Sequence, residues 1–194
     1  MLGLDQFVAS KALNEGMWLD ARRKGVTATQ VAKAASGPGG FEQAVQDYIA
    51  DYIEQDNPYM AFGRAWEPVI AMDLKYSHGI MPNDWLMANS EFPHHLATPD
   101  GLSLDHMKIS EIKTTGKDWG EGKIPIQYRR QVQWQLHVTG AEVCVFAWML
   151  REENEGVFVP AWFDSKVILM EPDAEMIGEL IDTAERLWER VNNG

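Results

Sequence analysis

Between Met107 and Leu150 the chain changes its hydrophobic rhythm twice, and this constrains the fold more than any other feature. MKISEIKT alternates as a strand does, with one face apolar. IPIQYRRQVQWQLHVTG carries a proline in its first turn and a glycine stop, the marks of a helix. AEVCVFAWML is apolar, β-branched and aromatic, and it faces EGVFVPAWFD across the polar REENEG turn as a strand pair. A helix inserted among strands of one sheet predicts an α/β fold, a three-layer sandwich with a central mixed β-sheet flanked by helices.

Upstream the pattern is helical. A first helix is expected over Leu4 to Asp20, and a second over VTATQVAKAAS with Thr27 as its N-cap. FEQAVQDYIADYIEQ spaces Ala44, Val45, Tyr48, Ile49, Tyr52 and Ile53 at a helical period. A longer helix follows Asn57-Pro58 and stops at Gly79, with Pro68 marking a kink or a break. IMPNDWLMAN and EFPHHLAT read as short extended segments that their prolines confine to sheet edges. No repeat or linker divides the 194 residues, so one domain is expected. It comprises a helical part over 1–79, a sheet-containing core over 80–163 and a C-terminal helix over 172–191.

Composition narrows the class. A hydrophobic content of 45% with eight Trp argues for a packed core and against disorder. No apolar run is long enough to span a membrane, and the first residues lack a basic start followed by an apolar stretch, so a cytoplasmic protein is expected. Cys144 stands alone, which excludes an internal disulfide framework or a Cys-ligated cluster, and it reads as a core residue. The net charge of −12 argues against casual nucleic-acid binding, yet it is unevenly spread. From Arg151 onward there are four basic and eleven acidic residues, whereas Lys108 to Arg130 holds six basic and three acidic ones.

That basic middle surrounds ATPDGLSLDHMKISEIKTT. Asp100 opens one strand, and Glu111 and Lys113 share a face of the next, with Ile112 turned to the core. Two carboxylates on neighbouring strands repel unless a cation holds them. Mg²⁺ takes a few carboxylate oxygens and keeps its waters, and a lysine beside it can orient or deprotonate such a water. These are parts for phosphodiester hydrolysis, although a salt-bridged surface turn would use the same residue types.

Four segments together, WLDARRKGVTAT, GRAWEP, ATPDG with SEIKT, and YRRQVQWQLHVTG, resemble the lambda exonuclease and YqaJ-type viral alkaline exonucleases of the PD-(D/E)XK nuclease superfamily. The likeness runs from Trp18 to the strands near Phe163. It implies that Asp100, Glu111 and the backbone carbonyl of Ile112 hold metal, and that Lys113 positions the attacking water. It implies that Glu67 completes the acidic pocket; an exposed helix acid is its plain alternative. Of the glutamines on the QVQWQ helix, Gln131 is the one expected beside the site with Tyr128, while Gln133 and Gln135 read equally as packing or surface residues.

Arg22 and Thr29 match the family's arginine and serine that hold a 5′-terminal phosphate, and Thr98 replaces another family serine with its hydroxyl kept. An arginine fork and a hydroxyl near a helix start suit phosphate oxygens. Met60 falls where the family has an apolar wedge, with core packing as its alternative. Arg23 and Lys24 read as backbone contacts or solvated charges. His94, His95 and His106 flank the site without the spacing of a metal trio. The tryptophans read mainly as core. SGPGG lacks the G-K-[ST] ending of a phosphate loop and is expected to be a loop between helices.

The resemblance therefore implies a Mg²⁺-dependent 5′→3′ exonuclease on double-stranded DNA ends, with two ions and Mn²⁺ as a substitute, leaving 3′ tails for strand annealing. It also implies a homotrimer, no membrane, and a single-strand annealing recombinase from the same phage or prophage as partner. A repair or restriction-type endonuclease and a non-catalytic DNA-end binding protein are the alternatives.

Overall fold

Strand β7 (Lys108–Thr115) lies in the middle of the main sheet and carries the SEIKT segment. The computed structural model describes residues 6–50, 56–120, 122–162 and 165–193. Helix α5 (Ile126–Thr139) carries the chain from β7 to β8 (Val143–Asn154), and such a crossover returns the second strand parallel to the first. The sheet runs β10 (Lys166–Met170), β8, β7, β6 (Gly101–Ser103), β3 (Ile80–Pro82), with every other pairing antiparallel. β9 (Val157–Pro160) folds back on the far end of β8 through Glu155-Gly156. The sheet is mixed, and Pro82 sits on its edge strand.

Period two along β8 assigns its two faces. Cys144, Phe146 and Trp148 pack with α5 and with α6 (Ala174–Asn193), while Val145, Ala147 and Met149 pack under α4 (Pro58–His78). The helix α4 contributes Phe62, Ile70, Ala71 and Leu74, a stripe at i, i+8, i+9 and i+12 spacing. Pro68 lies within this helix, which is continuous rather than broken. On the other face α2 (Ala28–Ala34) and α3 (Pro38–Ile49) complete the layer with α5 and α6. This is the three-layer arrangement the alternating pattern predicts, and Cys144 lies in its core.

Three expectations change. The segment FVAS is strand β1 (Phe7–Ser10), and the first helix, α1 (Glu15–Arg22), begins only where Asn14 caps it by accepting from the Met17 N–H. Asp84 fixes that bend by accepting from Ser10 Oγ at 2.5 Å and from the Ala12 N–H at 2.7 Å. The part of the expected helix over residues 4–5 lies outside the described residues, as does the end of the third over 51–55. Second, Pro38 starts α3, so Gly39 and Gly40 of SGPGG belong to a helical turn; the proline's fixed φ suits that position. Third, a second sheet is present, ordered β1, β4 (Trp85–Ala88), β5 (His95–Ala97), β2 (Val26–Thr27), and β10 joins the main sheet. No described helix is long and apolar enough to cross a membrane.

Candidate active site

Asp100 stands in the tight link between the two sheets. Its N–H donates to Ser110 O, its C=O accepts from the Asn83 N–H, and Pro99 O accepts from Asn83 Nδ2. Gly101 is required here: a Cβ would meet Ser110 Oγ at 2.4 Å and Ile80 Cγ2 at 2.6 Å. The close strands let Asp100 Oδ2 accept from the Ile112 N–H at 2.6 Å, which aims the carboxylate along β7.

On β7, Ile112 turns into the core under α4, and Glu111 and Lys113 turn towards α5. Glu111 is only 4% exposed. Its Oε1 pairs with Lys113 Nζ, and its Oε2 accepts from Gln135 Nε2 at 2.6 Å. Lys113 Nζ also lies 5.2 Å from the centre of the Tyr128 ring. Tyr128 and Gln135 are seven positions apart on α5, and Gln131 lies between them on the same stripe, half-buried. The direct contact to Glu111 thus comes from Gln135, one turn beyond the glutamine singled out by sequence. Gln133 faces elsewhere: it donates to Glu171 O and accepts from the Asp173 N–H, tying α5 to the start of α6.

The electrostatics express this crowding. Burial, then repulsion from Glu111 and Glu67, raises Asp100 well above the usual carboxylate range against the pull of Lys113. Burial would depress Lys113, but Glu111 and Asp100 outweigh it and hold the lysine above its ordinary range, as an ammonium. Glu67, on α4, is exposed to solvent, as its plain alternative has it. Dehydration by the pocket walls raises its carboxyl, with Glu111 adding and Lys113 and Lys11 opposing. Asp100, Glu111, Lys113 and Glu67 therefore share one electrostatic site. The opposed acids and the oxygen donors suit a hard divalent cation better than a thiophilic one.

The other expected residues stand outside this cluster of charges. Thr98 Oγ1, two residues before Asp100, is buried without a hydrogen-bond partner among the described residues. Arg22 ends α1 half-buried, its guanidinium 4.5 Å from the centre of the Trp18 ring, and burial lowers its pKa. Lys11 approaches the same ring at 5.4 Å and joins Lys113 in opposing the rise at Glu67. Sequence reasoning missed Lys11 because nothing marks it within FVASKAL. Thr29 is exposed in the first turn of α2, where Thr27 N–H and Oγ1 both donate to Gln30 Oε1. Met60 is half-buried in the first turn of α4. Beyond Thr115 a groove of about 710 Å³ opens, lined by Tyr59, Lys117, Arg151 and Phe158, with Arg151 over both rings.

The histidines form a separate group. His94 and His95 lack trio spacing in sequence, but α6 supplies Glu185, whose Oε1 lies 2.8 Å from Nε2 of each. Burial and repulsion from His94 lower His95 to about 4 against the attraction of Glu185, so its ring is neutral at physiological pH. His106 is elsewhere, in a left-handed turn beside Phe7.

Solved structures share this architecture. The chain aligns with LHK-Exo in complex with dAMP at TM-score 0.75 and 22% identity, over 92% of this chain and 93% of that one. It aligns equally with the alkaline exonuclease LHK-Exo from Laribacter hongkongensis, at TM-score 0.75, 21% identity and the same coverage. A phage related exonuclease from Haemophilus somnus 129PT aligns at TM-score 0.65 and 13% identity, over 87% and 94%. Comparison with curated proteins finds no significant match. The YqaJ-like viral recombinase domain matches residues 17–142, well over half of the length, and on that match the chain belongs to the YqaJ-like viral recombinase domain family.

Proposed function

We propose that the protein is a Mg²⁺-dependent 5′→3′ exonuclease that degrades one strand of a DNA duplex and leaves a 3′ single-stranded tail for strand annealing. The observation that carries this reading is the convergence of Asp100 and Glu111 on the Lys113 ammonium inside a YqaJ-like domain. Two solved structures of the same fold are named as exonucleases, and a third, of LHK-Exo, holds dAMP, a nucleotide of the kind such cleavage releases.

Asp100, Glu111 and the carbonyl of Ile112 would hold Mg²⁺, as one ion of a pair, with Mn²⁺ as substitute. When bound, the metal screens phosphate charge and supplies a water more acidic than bulk water. Lys113, held as an ammonium by Glu111 and Asp100, would act as a donor that orients the attacking water. Gln135 keeps Glu111 in one orientation. Glu67 accepts a hydrogen bond from water at the pocket mouth. Arg22, Thr29 and Thr98 receive the 5′ phosphate, Tyr128 supports Lys113, and Met60 wedges the ends of the duplex apart.

Linear duplexes carrying either a 5′ phosphate or a 5′ hydroxyl test this reading. With Mg²⁺ the phosphorylated strand should shorten from its 5′ end, and chelation should stop it. Nicking of closed circular DNA would favour an endonuclease, and binding without cleavage a DNA-end binding protein. The assembly proposed with this activity is a homotrimeric ring around DNA, working with a phage- or prophage-encoded single-strand annealing recombinase in the bacterial cytoplasm. Light scattering at the monomer mass of 21.9 kDa would remove the ring.

A further inference from the structure

We propose that His94, His95 and Glu185 form a binding site for a transition-metal ion of the zinc class, separate from the Asp100–Glu111 pocket, that clamps α6 onto β5. The proposal does not depend on the nuclease reading.

Three potential ligand atoms, one from each residue, lie within 4.8 Å of one another, although Glu185 is ninety positions away in sequence. Two imidazole nitrogens and one carboxylate oxygen, with a fourth position left to water, match the donor set of open zinc sites. Imidazole is a borderline donor, which selects zinc-like ions over Mg²⁺ or Ca²⁺.

The rings are held ready by packing. His94 stacks on Trp188 of α6 at 5.3 Å and 17°, and His95 stacks on Phe92 at 4.8 Å and 13°. His95 is fully buried, while Glu185 is 46% exposed, so an ion has an inner wall and a solvent side from which to enter. His95 Nδ1 lies 3.0 Å from His137 Nε2 on α5. In the metal-free protein, His95 Nε2–H donates to Glu185 and His137 Nε2–H donates to His95 Nδ1. Binding of an ion at His95 Nε2 requires the other tautomer, in which His95 Nδ1–H donates to His137. A second partner of this kind is what orients a metal-bound histidine and raises its basicity. A lone hydrogen-bonded ion pair would need only one of the two histidines.

The test is Zn²⁺ titration of the chelator-stripped protein in an Asp100→Asn, Glu111→Gln background, which removes the carboxylates of the other site. One Zn²⁺ per chain should bind with a Kd of about 1 μM or tighter. The Tm should rise by roughly 5–10 °C when free Zn²⁺ is a hundredfold above Kd. Glu185→Gln and His94→Ala, both at solvent-accessible positions, should each weaken binding by about 100-fold, and His137→Phe by about 10-fold. Co²⁺ should give the visible spectrum of a four-coordinate ion in the parent and lose it in Glu185→Gln. Circular dichroism confirms that each variant is folded, and if His94→Ala unfolds, Glu185→Gln alone decides. Absence of stoichiometric Zn²⁺ binding, or binding unchanged by Glu185→Gln, overturns the proposal.

Discussion

Gln135 Nε2 donates to Glu111 Oε2 at 2.6 Å, joining the α5 crossover helix to the strand that precedes it. Glu111 is buried, so this bond and the Lys113 contact determine where its oxygens point. Gln135 acts through Glu111 and is a positioning residue. Replacing it with Leu keeps the volume but leaves a buried carboxylate oxygen unpaired, at a cost of about 1–3 kcal/mol.

Gln135→Leu is therefore expected to lower kcat for duplex digestion by about 10–100-fold, the range found when a supporting partner of a ligand is removed. Duplex Kd should stay unchanged and the Mg²⁺ concentration for half-maximal rate should rise. Gln131→Leu should move these quantities less, because Gln131 makes no side-chain hydrogen bond among the described residues. Equal effects in single-turnover kinetics would remove the distinction between them.

Asp100→Asn is expected to abolish cleavage and yet raise the Tm of the metal-free protein. Asn can still accept from the Ile112 N–H while shedding the charge that burial and Glu111 oppose. The sign with pH follows from linkage. A carboxyl raised in the folded state binds more protons there than in the unfolded chain, so its charge costs stability as pH climbs from the ordinary carboxylate value through the raised one. The advantage of Asn should be full above that window and vanish below about pH 3, where the acid is protonated in both states. Thermal melts in chelator across pH check this, and a Tm for Asp100→Asn below wild type at pH 8 would contradict it.

How much of this was legible in sequence follows from the range of the interactions. Period-two alternation located β7 and β8 because both strands are long and have packed faces. PD and EIK marked the acids because Gly101 and the strand register are local. Gln131 and Gln135 share one helical stripe, so sequence could not decide which reaches Glu111; strand-to-helix spacing decides. FVAS was absorbed into a helix because four residues carry too little pattern, and its pairing partner is Trp85–Met87, far along the chain. The histidine group was invisible because its carboxylate comes from α6.

Gly101→Ala is expected to destabilise the fold by about 1–3 kcal/mol, the usual cost of forcing a methyl into filled space. Ile80 and Ser110 both stand inside contact distance of the new Cβ, and they belong to the strands on either side. Relief must push β6 away from β7, which lengthens the Asp100–Ile112 hydrogen bond. Activity should then fall by more than the folded fraction does, a comparison that denaturant melts and rates at saturating Mg²⁺ provide.

Arg22 supplies the sharpest test of the 5′-end pocket. Its guanidinium is half-buried against Trp18, and no carboxylate pairs with it among the described residues. A desolvated cation without a counter-charge among the described residues is poised for an anionic ligand, and a terminal phosphate offers oxygens for bidentate hydrogen bonding. Charge-assisted bonds of this kind contribute about 1.5–3 kcal/mol, which is roughly 10–150-fold in rate if the contact matures with the transition state. Arg22→Ala should slow digestion of 5′-phosphorylated duplexes by that factor and leave 5′-hydroxyl duplexes nearly untouched. Arg22→Lys should recover only part of the loss, since an ammonium keeps the charge without the fork. The two substrates and the two proteins form a double-mutant cycle. Coupling near zero would mean that Arg22 serves only to brace Trp18, and the preference for a 5′ phosphate would have to come from Thr29 and Thr98.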